Sequence, residues 1–252
     1  MRRQLTIVVL LAQTVPGCLS IDTRGPAMGT DYFGHNFVCR EPQLPEHYTA
    51  NYEAYRSTLA EQDRRSEPVF AVIAGDSIAH LFTPDRLQRF LPDFQVANRG
   101  IAGETAALLK TRARSDLLTL RPRAVILSIG GNDLLMGRCI PAILRDTARV
   151  IEDLRADRPD LHIYILSVPP VLSWKANSIF PYYNQLLQYL VEDYANVHYV
   201  DLWREMSSRQ LPELKNEFQS SLPDGRLDRI HFNESGYRWL GEVLSRELAR
   251  IR

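Results

Sequence analysis

The sequence has little of several features that define whole classes of protein. Its 252 residues include only three cysteines, Cys18, Cys39 and Cys139, so a disulfide scaffold standing in for a hydrophobic core is excluded. Neither a C-x-x-C pair nor an H-E-x-x-H occurs, and nothing in the pattern suggests a zinc site. Charge of one sign is not in excess. Thirty Lys and Arg balance 30 Asp and Glu, leaving a formal net charge of zero and no overall field to hold a polyanion. Nucleic acid is therefore not an expected partner. Long apolar runs are missing as well: Leu5 to Ala12 is too short to span a bilayer, and no later stretch approaches the roughly twenty residues required. What remains is 45% hydrophobic and 24% charged, enough for one α/β domain with a full core. The densest basic group is Lys110, Arg112, Arg114, Arg121 and Arg123, on a predicted helix and the turn after it. It reads as a solvated helix face.

The first residues differ from the rest. Arg2 and Arg3 precede the apolar run, and Val15-Pro16-Gly17-Cys18 follows it, so residues 1–18 read as an export signal. Val-Pro-Gly-Cys resembles the lipobox of bacterial lipoproteins, with Pro16 atypical, and acylation of Cys18 would attach the mature chain to a membrane. Simple secretion, to the periplasm or beyond, is the alternative. Residues 19–66 form a leader that is rich in Pro, Gly and polar residues up to Pro45 and then helical from Tyr48 to Gln62, with Tyr52, Tyr55 and Leu59 on one face. In an exported chain, Cys39 and Cys139 read either as a disulfide or as two buried thiols.

From residue 67 onward, short β-branched runs alternate with helical segments, the pattern of βαβ units and a parallel sheet. Strands are expected at Val69 to Ala74, Gln95 to Asn98, Ala124 to Ile129, His162 to Val168 and Val197 to Leu202. Helices are expected at Leu108 to Leu120, Ile140 to Leu154, Pro181 to Tyr194 and from Asn233 onward. The fold class implied is a three-layer αβα sandwich around a mainly parallel five-stranded sheet in a single domain, residues 67–252. A ligand is expected at the carboxyl ends of the strands, where strand order reverses.

The first three strands end in small, polar, sharply turning sequences: Gly75-Asp76-Ser77, Asn98-Arg99-Gly100-Ile101-Ala102-Gly103 and Gly130-Gly131-Asn132-Asp133. A fourth cluster, Asp228-Arg229-Ile230-His231, falls in a predicted loop before the last helix. These residue types suit acyl transfer, in which a serine needs a base and the base needs an orienting carboxylate. Ser77 is the candidate nucleophile, His231 the candidate base and Asp228 its carboxylate, with Asp201 a less favoured third member. Donors for an oxyanion are available from the Gly103 amide, the Asn132 side chain and the Ser77 amide. Asp76 and Asp133 are expected to bond turn amides, Asn98 to pin the loop after the second strand, and Gly100, Gly130 and Gly131 to serve backbone conformation.

Gly-Asp-Ser, Asn-x-Gly-x-x-Gly, Gly-Gly-Asn-Asp and Asp-x-x-His, in this order over roughly residues 68–250, resemble blocks I, II, III and V of the SGNH (GDSL) hydrolases. The resemblance implies a flavodoxin-like fold and an esterase without metal or cofactor. It also implies Ser77, Asp228 and His231 as triad, with Ser77, Gly103 and Asn132 as oxyanion hole. Ile78 stands where the family usually has Leu. The substrates it implies range from O-acetylated carbohydrates to lysophospholipids and aryl esters. A carbohydrate O-acyltransferase using the same residues, and a non-catalytic surface binding protein on the same scaffold, are the alternative readings. The sequence leaves acyl chain length and oligomeric state open.

Overall fold

The computed structural model describes residues 46–63, 68–209 and 213–252. Residues 1–18, read as an export signal, and with them Cys18, as well as Cys39 lie outside the described residues. Cys139 is disulfide-bonded, and both other cysteines are among the residues not described. No helix of the described residues is long and apolar enough to cross a membrane.

Five strands, β1 (Ala71–Gly75), β2 (Val96–Gly100), β3 (Ala124–Ser128), β4 (His162–Leu166) and β5 (Val197–Val200), form one parallel sheet in the order β2-β1-β3-β4-β5. Every residue of β1 and β3 is buried, as continuous apolar runs require when helices cover both faces. Alternation along the strands divides the core in two. Val72, Ala74, Val125, Leu127, Ile163 and Ile165 face one helical layer that includes α4 (Ala106–Arg112), α6 (Ile140–Asp157) and α8 (Phe180–Glu192). Ala71, Ile73, Ile126, Tyr164 and Leu166 face the other, with α3 (Pro84–Phe90) and α10 (Glu234–Ala249). The amphipathic stripe of α6, from Ile140 through Ile143, Thr147, Val150 and Ile151 to Leu154, is buried as its spacing predicts.

The chain runs outward from β1 to β2 and then crosses back to β3, so the reversal of strand order lies between β1 and β3. Diverging connections leave a crevice at the carboxyl ends of this pair.

The sequence misplaces several elements. The helix expected at Leu108 to Leu120 is α4 followed by a π-type turn at Ala113–Leu117, because Arg112 and Leu117 both turn inward. Of the basic group around it, Arg114, Arg121 and Arg123 are exposed as a solvated face requires, with Arg114 binding Asp157 at 2.5 Å and the half-buried Lys110 pairing with Asp146, but Arg112 has no exposed surface. Asp228 and His231 lie not in a loop but in β7 (Leu227–Phe232), paired antiparallel with the short β6 (Gln219–Ser221). That ladder is too short and too polar to read from an alternating pattern. The accessory helix is α1 (Glu46–Asp63), which docks Tyr52 and Leu59 against Ile101.

Candidate active site

At the end of β1 the chain must turn sharply, and Gly75 makes this possible. Its φ is +116°, and a Cβ there would lie 1.9 Å from the Ser128 carbonyl oxygen, so only glycine fits. Asp76 follows as N-cap of the one-turn helix α2 (Ser77–His80), its Oδ1 accepting from the Ile78 amide at 3.0 Å. The cap is thus Asp76 and not Ser77. Ser77 occupies the first helical position with its hydroxyl free for another partner.

That partner is His231. Its Nε2 lies 2.9 Å from Ser77 Oγ, and its Nδ1 lies 2.8 Å from Asp228 Oδ2. An ionised carboxylate can only accept, so Nδ1 carries the proton and Nε2 presents its lone pair to the serine hydroxyl. Asp228 is fixed by its own strand: Oδ1 accepts from the amides of Ile230 at 2.9 Å and His231 at 3.0 Å. Burial works against its charge, but the His231 hydrogen bond and these amides hold its carboxyl below the ordinary carboxylate value. The three side chains form one continuous row of hydrogen bonds from α2 to β7. Asp201 is not part of it; it is exposed and accepts from the Arg204 amide at 3.1 Å.

Asp76 behaves differently. It is buried at the floor of the site, and burial pushes its carboxyl up to about 7 although Oδ1 accepts from Ser128 Oγ at 2.9 Å. Its bond to a turn amide is the one its sequence position suggests.

The opposite wall comes from the loops after β2 and β3. Asn132 belongs to the short helix α5 (Gly131–Leu135), entered through Gly130 at φ +101°, where a Cβ would meet the Tyr183 hydroxyl at 2.3 Å. Gly131 has no such need, since a Cβ there meets nothing closer than 3.6 Å. Asn132 Nδ2 donates to the Glu104 carbonyl at 3.0 Å. Gly103 lies in the same turn as Glu104, with φ +82°, and is not among the residues that line the cleft. Asp133 Oδ2 accepts from the Ala106 amide at 3.0 Å and Oδ1 from Arg138 at 3.1 Å, stitching the two loops together. Asn98 pins its loop as expected, donating to the carbonyls of Ala79 at 2.6 Å and Phe82 at 2.8 Å.

Ser77 and Asn132 line a narrow cleft walled by Ile129, Leu135, Val168, Pro169, Val171 and Phe180 and closed on the β7 side by Ile230. The apolar wall from β4 and α8 and the buried residues Ser128, Ser167 and Glu104 carried no motif. Their roles follow from strand order and loop packing, which sequence spacing does not encode. Among the described residues, no group of three or more metal-ligating side chains occurs.

This geometry can be set beside known proteins. Structures sharing the fold include a GDSL-like lipase from Bacteroides thetaiotaomicron, 19% identical, with a TM-score of 0.66 and coverage of 81% of this chain and 99% of that one. The acetyl xylan esterase AlAXEase is 20% identical, with a TM-score of 0.58 and coverage of 70% and 98%. A family 3 carbohydrate esterase from Clostridium thermocellum is 19% identical, with a TM-score of 0.55 and coverage of 72% and 98%. At these identities the likeness is one of fold. A search of curated protein sequences finds no match. Residues 47–239 match the sequence model of the GDSL-like lipase/acylhydrolases, and the chain therefore belongs to the GDSL-like lipase/acylhydrolase family.

Proposed function

We propose that this protein is a serine-type carboxylic ester hydrolase that works through an acyl-enzyme on Ser77. The observation that carries the reading is the unbroken row Ser77 Oγ, His231, Asp228, with contacts of 2.9 and 2.8 Å, opening on an apolar cleft. His231 Nε2 takes the hydroxyl proton as Ser77 Oγ bonds to the ester carbonyl carbon. Negative charge then collects on the former carbonyl oxygen, toward which the Ser77 amide, the Gly103 amide and the second N–H of Asn132 are the candidate donors. Collapse of that intermediate breaks the bond to the alcohol, which leaves with the proton from His231. Water, deprotonated by the same histidine, releases the acid and restores the serine. Asp228 keeps its proton-free form throughout and stabilises the imidazolium.

The wall of Leu135, Val168, Pro169, Val171 and Phe180 suits a small acyl group, carried as an ester on a carbohydrate, glycerol or aryl alcohol. The export reading of residues 1–18, with Cys18 as the acylation site, goes with a substrate outside the cytoplasm.

Labelling with a fluorophosphonate followed by peptide mass spectrometry tests the mechanism. One adduct on Ser77, absent from Ser77→Ala together with hydrolysis of p-nitrophenyl acetate, is the expected result. No adduct on the folded protein, or an adduct on another serine, overturns it. A series of nitrophenyl esters from acetyl upward, compared with acetylated xylooligosaccharides and lysophospholipids, then identifies the substrate class.

A further inference from the structure

Helix α1 lies beside the active-site loops and contacts them through polar groups as well as apolar ones. Tyr55 meets the His80 ring edge-on at 5.0 Å, three residues past Ser77. Tyr52, packed with Leu59 and Ile101, donates its hydroxyl to Glu104 Oε1 at 2.7 Å. The same carboxylate receives Arg112 Nε and Nη2, each at 2.6 Å, and Nη2 also donates to the Arg99 carbonyl at 2.7 Å. Glu104 and Arg112 have no exposed surface at all. Burial and the neighbouring Glu104 charge both push the Tyr52 phenol up, so it remains a donor at any working pH.

A buried ion pair is a poor way to gain stability, because desolvation consumes most of the attraction, and apolar replacements do as well. Its value here lies in what it fixes. The Glu104 amide donates to the Ile101 carbonyl at 3.0 Å, and its carbonyl receives Asn132 Nδ2 at 3.0 Å. A carboxamide has two coplanar N–H groups. Holding one of them on Glu104 fixes the plane of the amide and therefore the direction of the other.

We infer that Tyr52 and Glu104 are positioning residues for the oxyanion hole: α1, through the Tyr52 hydroxyl and the Glu104–Arg112 pair, sets the Glu104 carbonyl that aims Asn132 at the reacting oxygen. The inference rests on the serine-esterase reading and extends it to a helix outside the sheet domain. On this basis α1 is a working part of the active site.

A double-mutant cycle tests it. Tyr52→Phe keeps the ring and removes only the hydroxyl, and Glu104→Gln keeps the acceptor and removes the charge. Each is made alone and together with Asn132→Ala, and kcat and KM are measured with p-nitrophenyl acetate. Expected for Tyr52→Phe is a loss of about tenfold in kcat with KM unchanged, as for removal of a hydrogen bond to a charged group. Asn132→Ala alone loses about 10²-fold or more. In the Asn132→Ala background, Tyr52→Phe and Glu104→Gln cost nothing further. Equal losses in both backgrounds, no loss in either, or a loss confined to KM overturns the inference while leaving the esterase reading intact. If Asn132→Ala itself has full activity, the oxyanion assignment and this inference fall together while a Ser77 adduct still upholds the esterase reading, whereas absence of the Ser77 adduct in the parent protein removes the esterase reading and this inference with it.

Discussion

Asp228 and His231 stand three residues apart on β7 and are held mainly by each other and by their own backbone amides. Across the cleft, Asn132 is held by a carbonyl 28 residues away, and the residue carrying that carbonyl is held by a tyrosine 52 residues away and a fully buried arginine. The first wall is local and uses a partly solvated carboxylate whose partners favour its charge. The second is assembled from distant segments and depends on buried charges: Glu104 with Arg112, and Asp133 with Arg138, which in turn binds Asp146. Burial opposes the Arg112 charge, yet Glu104 beside it holds the guanidinium above its ordinary value, whereas burial pushes Asp133 up to about 6 despite Arg138. On the proposed function, one cleft combines a proton-transfer side specified by spacing with a charge-stabilising side specified by packing. Damage to the first is expected to appear in activity, and damage to the second in both activity and folding.

The largest effect that would sharpen this contrast is on the local wall. Asp228→Asn leaves the backbone bonds to Oδ1 available but presents the wrong partner to His231 Nδ1. A fall of about 10³- to 10⁴-fold in kcat at pH 7, with little change in thermal midpoint, is expected. A loss of stability as large as the loss of activity would erase the distinction.

On the packed wall, Arg112→Met strands Glu104 as an unpaired buried charge, so a destabilisation of about 3–5 kcal/mol in urea unfolding is expected. An unchanged unfolding midpoint would show that the pair carries no structural weight. Asn132→Ala comes next: kcat falls by about 10²- to 10³-fold, while the rest of the wall remains in place. Circular dichroism melting should show a near-parental midpoint, and a collapse of the fold would mean that Asn132 is itself a structural pin.

The smallest effect concerns Asp76, the buried carboxylate beside Ser77. Its carboxyl is pushed up to about 7, so the folded chain keeps a proton that the unfolded chain releases near pH 4. Stability from this group is complete below the unfolded value and is lost as pH rises toward 7. Asn keeps the Oδ1 acceptor and cannot ionise, so the melting midpoint of Asp76→Asn relative to the parent should rise by a few degrees between pH 4 and pH 8. A difference that is flat with pH would show that Asp76 is solvated or paired.

The residues of the local wall are legible because their chemistry is written in short spacings. Gly-Asp-Ser after a β-branched run and Asp-x-x-His before a capped helix each place a reactive side chain relative to its own backbone, and Asn98 could be read as a loop pin for the same reason. The packed wall is not legible in this way. Arg112 reads as one of a row of surface cations, and its burial becomes apparent only when Glu104, Tyr52 and the Arg99 carbonyl converge on it. The β6–β7 hairpin escapes notice because its few paired residues are too polar to show an alternating pattern.

The sequence by itself determined the alternation of strands and helices, the parallel sheet buried on both faces, the turn residues at the strand ends and the choice of Ser77, His231 and Asp228 as candidates. Apolar periodicity and turn chemistry are local properties of a chain. Only the tertiary structure decided that β1 and β3 are neighbours, that the strand order reverses between them, and that α1 reaches the loop behind Asn132. Those facts depend on which distant surfaces exclude water from each other and which buried charges find partners, and no spacing along the chain records either.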